Sequence, residues 1–213
     1  MSKQAVHQKL YNVPVLTPRT APGYELIKRV LDILLSFLAL LLLLVPGLVI
    51  SLWILLDSPG RVIYRQERLG KNGKPFTLYK FRSMQANAEE DGAQWAREDD
   101  ERCTRIGRFL RKSRLDEIPQ FVNILAGDMS LVGPRPEREC FYRLFEENIH
   151  GFSQRLLVKP GLTGWAQVNG GYDLLPEEKI VYDAEYIENR SLLLDCRCVF
   201  RTIAVLFNHH GAR

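Results

Sequence analysis

Residues 33–56 read ILLSFLALLLLLVPGLVISLWILL, and about 20 apolar residues in a helix suffice to cross a bilayer core of about 30 Å. The apolar core of a cleaved signal peptide runs only about 7 to 15 residues and ends at a small-residue cleavage site, which is not found here. This is a membrane segment, and its flanks constrain how it enters. Arg19, Lys28 and Arg29 precede it, and Arg61, Arg65, Arg68, Lys71 and Lys74 follow it. Basic flanks stay on the cytoplasmic side, so both ends call for the same face. Pro46-Gly47 lies near the middle, where a proline removes a helix hydrogen bond and clashes with the preceding turn. A segment that bends at Pro46 and leaves on its entry face satisfies both flanks. A kinked full span is the alternative, because proline kinks are tolerated in spanning helices.

The rest of the chain carries many charges of both signs, which the 46% average hydrophobic content conceals. A length of 213 residues suits one domain with an accessory segment. The expected division is a flexible arm over 1–23, the re-entrant membrane helix over 24–58, and the functional domain over 59–213. A net charge of +4 fits phosphate ligands or an anionic membrane surface and does not call for nucleic acid. Cys103, Cys140, Cys196 and Cys198 form no C-x-x-C pair and lie at no metal-ligand spacing with His, so reduced cytosolic thiols are expected.

The expected fold class is α+β: a mainly helical cytosolic domain with a short β-hairpin, anchored by the membrane helix and by interfacial amphipathic helices. The hairpin is expected between Val62-Ile63-Tyr64 and Phe76-Thr77-Leu78-Tyr79, across the turn residues Lys71-Asn72-Gly73. Ala86 to Asp100, acidic with one Trp95, reads as an exposed helix or loop. Thr104 to Leu115 sets Ile106, Phe109 and Leu110 on one helical face among Arg105, Arg108, Arg111, Lys112 and Arg114. That pattern fits a helix on the membrane surface, which the density of cations favours; a surface helix packed on the core is the alternative.

Asp116 and Glu117 precede a helical pattern that ends near Gly127, with Pro119 where a first helical turn accepts it. Acids at a helix start are commonly capping residues that complement the dipole. The same position suits a carboxylate that attacks phosphorus or binds Mg²⁺, and the surrounding residues favour that second role. A basic helix precedes the pair, and Pro134-Arg135-Pro136 holds an arginine on stiff backbone where its planar fork can meet a phosphate. The Gly-rich run 160–171, PGLTGWAQVNGG, either brings backbone N–H groups to a ligand or packs a tryptophan in a tight loop. It is neither a Walker A loop nor a Rossmann fingerprint.

Five ordered blocks, Tyr79-Lys80-Phe81-Arg82-Ser83-Met84, LDEIPQ, GDMSLVGPRP, KPGLTGWAQVNG, and Asp183-Ala184-Glu185-Tyr186 running to Ser191-Leu192-Leu193-Leu194-Asp195, resemble the monotopic phosphoglycosyl transferases. These are bacterial sugar transferases that start exopolysaccharide and related glycan assembly. The likeness runs from about Lys28 to Leu206. It implies a re-entrant helix and a catalytic domain at the cytoplasmic face of the bacterial inner membrane. It also implies transfer of a phosphosugar from a UDP-sugar to polyprenyl (undecaprenyl) phosphate, with release of UMP. Asp116 would be the nucleophile and Glu117 the Mg²⁺ ligand, while Lys80, Arg82, Arg111, Arg135 and Asp195 would line the substrate site. The bilayer is the expected partner, nucleic acid is not, and homo-oligomerisation stays open. The family often has Arg after the Asn-Gly of the Trp loop, whereas Tyr172 follows Gly171 here. The chain resembles a minimal form without the N-terminal spans of larger members. UDP-glucose and UDP-galactose fit the overall pattern, with acetamido sugars left open. A membrane-tethered adaptor is the competing reading, and Asp116→Ala separates the two, since it stops transfer but spares an adaptor's binding.

Overall fold

The computed structural model describes residues 11–18, 21–90, 92, 94, 100–171 and 174–208. The fold is mixed and rich in helix, with six short strands among the described residues arranged as three separate pairs. Strand β1 (Tyr11–Asn12) opens it, followed by helices α1 (Tyr24–Leu42) and α2 (Leu44–Asp57). Strands β2 (Ile63–Leu69) and β3 (Pro75–Phe81) form an antiparallel hairpin in register Ile63↔Phe81 to Leu69↔Pro75. Its turn is the expected Lys71–Gly73, with Asn72 left-handed at φ 59°. Both strands run longer than the alternating residues alone indicate. Helices α3 (Arg105–Lys112) and α4 (Gln120–Ala126) follow. Next come strand β4 (Ser130–Val132), helix α5 (Glu139–Glu146), strand β5 (Ile149–His150) and strand β6 (Gly161–Thr163). The chain continues through α6 (Trp165–Asn169), α7 (Pro176–Asn189) and α8 (Leu192–Asn208).

The N-terminal arm departs from expectation over its described residues 11–18. β1 pairs in parallel with β5, and Val13 and Leu16 are buried in the main core with Ile149 and Phe152. Two apolar side chains in a proline-punctuated stretch are enough to dock it once a partner strand exists, and that partner lies more than 130 positions away, beyond the reach of local pattern. Met1 to Leu10, Arg19, Thr20, Trp95 and Tyr172 lie outside the described residues.

Helix α1 has its polarity reversed relative to a soluble helix. Tyr24, Lys28, Asp32 and Ser36, four residues apart on one face, are buried against the domain, while Leu34, Phe37, Leu38, Leu41 and Leu42 are exposed. The outward apolar surface continues along α2 through Leu44, Val45, Leu48 and Leu52. An exposed apolar face of this extent marks an interaction surface. Among the described residues no single helix is long and apolar enough to cross a membrane; α1 and α2 together are, bent by 60°. The break falls at Leu43, one turn before the expected Pro46-Gly47. Pro46 lacks the N–H that would bond the carbonyl of Leu42, so the ladder opens upstream, and the proline itself sits in the first turn of α2, where it is tolerated.

Both arms of the bent pair contact the same domain, α1 through α4 and β4, α2 through α3. Ile50 and Ile54 of α2 pack with Phe81, Leu110 and Ile118. Leu110 and Ile106 of α3 thus face this cluster, leaving Phe109 as the outward apolar residue of that helix. The amphipathic stripe of α3 is therefore chiefly a packing face.

Candidate active site

The site is assembled where β3, α3 and the turn into α4 meet. Thr104 caps α3 by accepting from Gly107 N at 2.9 Å. Gly107 lets the helix rest on the end of β3, since a Cβ there would stand 1.8 Å from the Ser83 carbonyl oxygen. A left-handed Arg114 (φ 57°) then turns the chain into the single 3₁₀ turn Leu115–Glu117, and Pro119 opens α4. As the sequence implies, the acid pair stands at a helix start and Gly127 ends that helix in a left-handed conformation.

Asp116 and Glu117 are both buried and both face Lys80, whose Nζ lies 3.7 Å from Asp116 Oδ2 and 3.3 Å from Glu117 Oε1. Arg135 donates to the same Glu117 oxygen at 2.5 Å. Asn123 sets this alignment. Its Nδ2 donates to Thr77 O at 2.7 Å and its Oδ1 accepts from Tyr79 N at 3.1 Å. One wholly buried side chain on α4 thereby closes the free edge of β3 next to Lys80. Arg135 is held from behind, because Arg155, in a buried 2.6 Å pair with Asp183, donates to the Arg135 carbonyl.

A cavity of about 490 Å³ opens over the acids, and among its lining are Lys80, Arg111, Arg114, Arg135, Arg138 and Lys179. Burial pushes the Asp116 carboxyl above its ordinary range; Lys80 opposes that and Glu117 adds to it. Burial acts on Glu117 in the same direction, but Arg135 and Lys80 together outweigh it and hold that carboxyl well below the usual range. Two adjacent acids are thus driven apart, one firmly ionised and one reluctant. The dipole at a helix start, which favours a charged acid, therefore does not act alike on both.

Of the expected substrate-site residues, Lys80, Arg111 and Arg135 line the cavity with the acid pair. Arg82 also borders it, but its guanidinium donates to Pro59 O, Ser58 O and Ile54 O, closing the C-terminal end of α2. Asp195 is not brought to the cavity. It accepts from Tyr24, Lys28 and Tyr186 at 2.8–2.9 Å and fastens α1 to α8. Two glycines of the Gly-rich run also meet the protein's own backbone. A Cβ on Gly161 would fall 2.1 Å from Gly133 N and one on Gly164 2.1 Å from Gly133 O. Glycine there allows the close backbone approach of the β4–β6 pair, and Trp165 donates to Glu185 at 2.9 Å. Asn123, Lys179 and Glu137 were not singled out by sequence. Asn123, in the run Gln120–Asn123 after the acids, carried a local signal only in its polarity among Phe121, Val122, Ile124 and Leu125.

Two buried acids thus share one cavity with a set of cations. Residues 23–209 match the bacterial sugar transferase family, and the chain belongs to it. It is 46% identical over 196 residues to a UDP-N-acetylgalactosamine-undecaprenyl-phosphate N-acetylgalactosaminephosphotransferase of Aeromonas hydrophila, covering 91% of this chain and 46% of that protein. It is 42% identical over 205 residues to the UDP-glucose:undecaprenyl-phosphate glucose-1-phosphate transferase of Escherichia coli (strain K12), covering 92% of this chain and 44% of the relative. To a protein of the same name in Caulobacter vibrioides (strain ATCC 19089 / CIP 103742 / CB 15) it is 39% identical over 200 residues, covering 92% and 74%. The chain thus spans about half the length of the first two relatives (46% and 44%).

Proposed function

We propose that this protein transfers a phosphosugar from a UDP-sugar to undecaprenyl phosphate, releasing UMP, with Asp116 as covalent nucleophile. The observation that carries the reading is the cluster Lys80, Asp116, Glu117 and Arg135 at the floor of a cation-lined cavity. The names of the relatives supply the donor and acceptor classes, and because they differ in the sugar, the proposal stays at UDP-sugars as a class.

In this mechanism Asp116 Oδ attacks the phosphorus that bears the sugar. The bond between that phosphorus and the bridging oxygen breaks, and UMP leaves with the electron pair. A phosphate oxygen of the acceptor then attacks the acyl phosphate, forming the diphosphosugar and returning the carboxylate. Lys80, Arg111 and Arg135 bind the diphosphate and offset its growing charge. Arg135 and Lys80, paired with Glu117 in the protein alone, hold that acid ionised. The acid pair offers hard carboxylate oxygens to one cavity, which fits Mg²⁺, an ion that takes one or two protein carboxylates and completes its shell with phosphate and water. Glu117 would hold it, and the ion, when bound, would lower the charge on the departing UMP.

The bent pair α1–α2 serves in this reading as a re-entrant anchor at the cytoplasmic face of the inner membrane. A full crossing would carry one arm away from the domain, whereas both arms contact it here. The outward apolar faces meet lipid and the buried polar stripe of α1 holds the domain.

The test is incubation of the purified chain with a panel of UDP-sugars and Mg²⁺ before any acceptor is added. UMP should appear in about stoichiometric amount, with a phosphosugar adduct on Asp116 by intact-protein mass spectrometry. Asp116→Asn should form none at any Mg²⁺ concentration, and Glu117→Gln should weaken the Mg²⁺ dependence without moving the adduct. Turnover without an adduct, an adduct elsewhere, or UDP as the released nucleotide would overturn the mechanism. Undiminished function of Asp116→Ala in the absence of transfer would indicate an adaptor.

A further inference from the structure

A second cationic pocket, of about 220 Å³, lies at the root of α1, away from the acid pair. Its lining includes Lys28, Arg29, Lys71, Lys159 and Arg190, with Glu25 and Asp32 as the acids. Two of these cations are already paired with acids, and two further charged groups are hydrogen-bonded to neutral partners. Lys28 pairs with Asp195 and Arg190 with Glu25, both within 2.9 Å. Asp32 accepts from Leu131 N at 2.9 Å and from Ser130 Oγ at 3.1 Å. Arg29 closes the end of α4, donating to Ile124 O and Leu125 O at 2.6 and 2.8 Å. Lys71 and Lys159 remain, and neither side chain has a hydrogen bond or ion pair among the described residues. A methyl built on Gly127 would stand 3.4 Å from Arg29 Nη2 and 3.7 Å from Lys159 Nζ, so these two cations flank one narrow gap.

Arg29, Lys71 and Lys159 outnumber Asp32, the acid left in the pocket once Glu25 is paired with Arg190, and such an excess of like charge is costly unless an anion joins it. Burial and the adjacent Arg29 accordingly push the Lys159 ammonium below its usual range. Depth selects the anion. The turns of α1 that line the pocket also present Leu26, Ile27, Val30 and Leu31 outward, so the pocket opens where the apolar face begins. In a membrane that is the headgroup level, where lipid phosphates concentrate.

We infer that Arg29, Lys71 and Lys159 form a second phosphate-binding site, separate from the catalytic cavity, that takes the phosphate of an anionic lipid headgroup. The headgroup source rests on the membrane placement proposed above; a free phosphate shares the chemistry. Neither lysine touches the acid pair, so the site would fasten the root of α1 to the membrane surface without entering the reaction.

The test uses the full chain in a neutral detergent, titrated separately with phosphatidylglycerol and with inorganic phosphate. Wild type should show a rise in Tm on the order of 5 °C at a hundredfold excess of ligand over Kd. Native mass spectrometry should count one retained phosphatidylglycerol. K71Q/K159Q should lose both effects, and K71R/K159R should keep them. A response to phosphatidylglycerol alone assigns a lipid headgroup, and a response to both ligands assigns any phosphate group. Equal responses in wild type and K71Q/K159Q, or no response to either ligand, would overturn the site. UMP release and adduct formation are measured on the same samples. K71Q/K159Q should keep them, so failure of the second site and failure of the catalytic reading are told apart.

Discussion

Lys28 Nζ lies 2.9 Å from Asp195 Oδ2, an ion pair spanning 167 positions of sequence and nearly closed to solvent. It joins the helix that carries the apolar face to α8, with Tyr24 and Tyr186 satisfying the remaining carboxylate valences. Removing one partner of such a pair costs about 3 to 5 kcal/mol, because the other charge stays buried. Asp195→Leu should therefore lower unfolding stability by about that amount, and adding Lys28→Met should recover much of it. The folded fraction should keep its KM for UDP-sugar. A raised KM with unchanged stability would return Asp195 to the substrate site.

Local features were legible in the sequence and distant ones were not. The Lys71–Gly73 turn, Pro119 at a helix start and Gly127 at its end are chemistry of neighbouring residues, and each stands where the pattern puts it. The acid pair with Lys80 and Arg135 was found through motif order, and the structure brings the four together. Asp195, Arg82 and the glycine run carry the same polar or flexible character whether they face a ligand or the protein's own backbone. Only partners 167, 24 and 28 positions away decide which. The four-residue polar stripe of α1 was present in the sequence, yet its meaning needed the domain against which it packs.

Asn123 is the residue through which α4 fixes β3. Asn123→Leu would leave Thr77 O and Tyr79 N without their side-chain partner, costing about 2 kcal/mol in stability. Lys80 would lose its alignment with the acids, and misplacement of a catalytic group by about 1 Å can cost on the order of a hundredfold. The expected outcome is a fall in kcat of roughly ten- to a hundredfold with a smaller change in KM. An unchanged kcat in a destabilised but folded variant would limit Asn123 to packing.

The acid limb of the pH–rate profile should belong to Asp116, because only the carboxylate can attack phosphorus. Its folded-state pKa is raised by burial, so the rate of UMP release should fall with decreasing pH through a midpoint above the ordinary Asp value of 3.8. The neighbours have opposite signs. Lys80 favours the carboxylate, so Lys80→Gln should move the midpoint up; Glu117 disfavours it, so Glu117→Gln should move it down. Burst amplitude against pH at fixed Mg²⁺ reads both, and shifts in the same direction would exclude Asp116 as the titrating group.

The bend between α1 and α2 has two supports, and their magnitudes decide what one substitution can do. Pro46→Leu restores a hydrogen bond to the Leu42 carbonyl and removes a penalty of about 3 kcal/mol, which favours a straight helix. Against it stand contacts at the far end of α2. Arg82 donates to Ile54 O, Ser58 O and Pro59 O, Asp57 accepts from Ile106 N at 3.2 Å, and Ile50 and Ile54 are buried against Phe81 and Leu110. Hydrogen bonds to a charged donor contribute about 1.5 to 3 kcal/mol each, so this docking outweighs one restored backbone bond. Pro46→Leu alone should leave the bend in place, and Pro46→Leu with Arg82→Leu should release it. Spin labels at the exposed positions Leu26 and Leu56 can measure the difference. A straight helix separates them by about 45 Å and a 60° bend by about 39 Å. A full lengthening in Pro46→Leu alone would make the proline, and not the docking of α2, the cause of the bend.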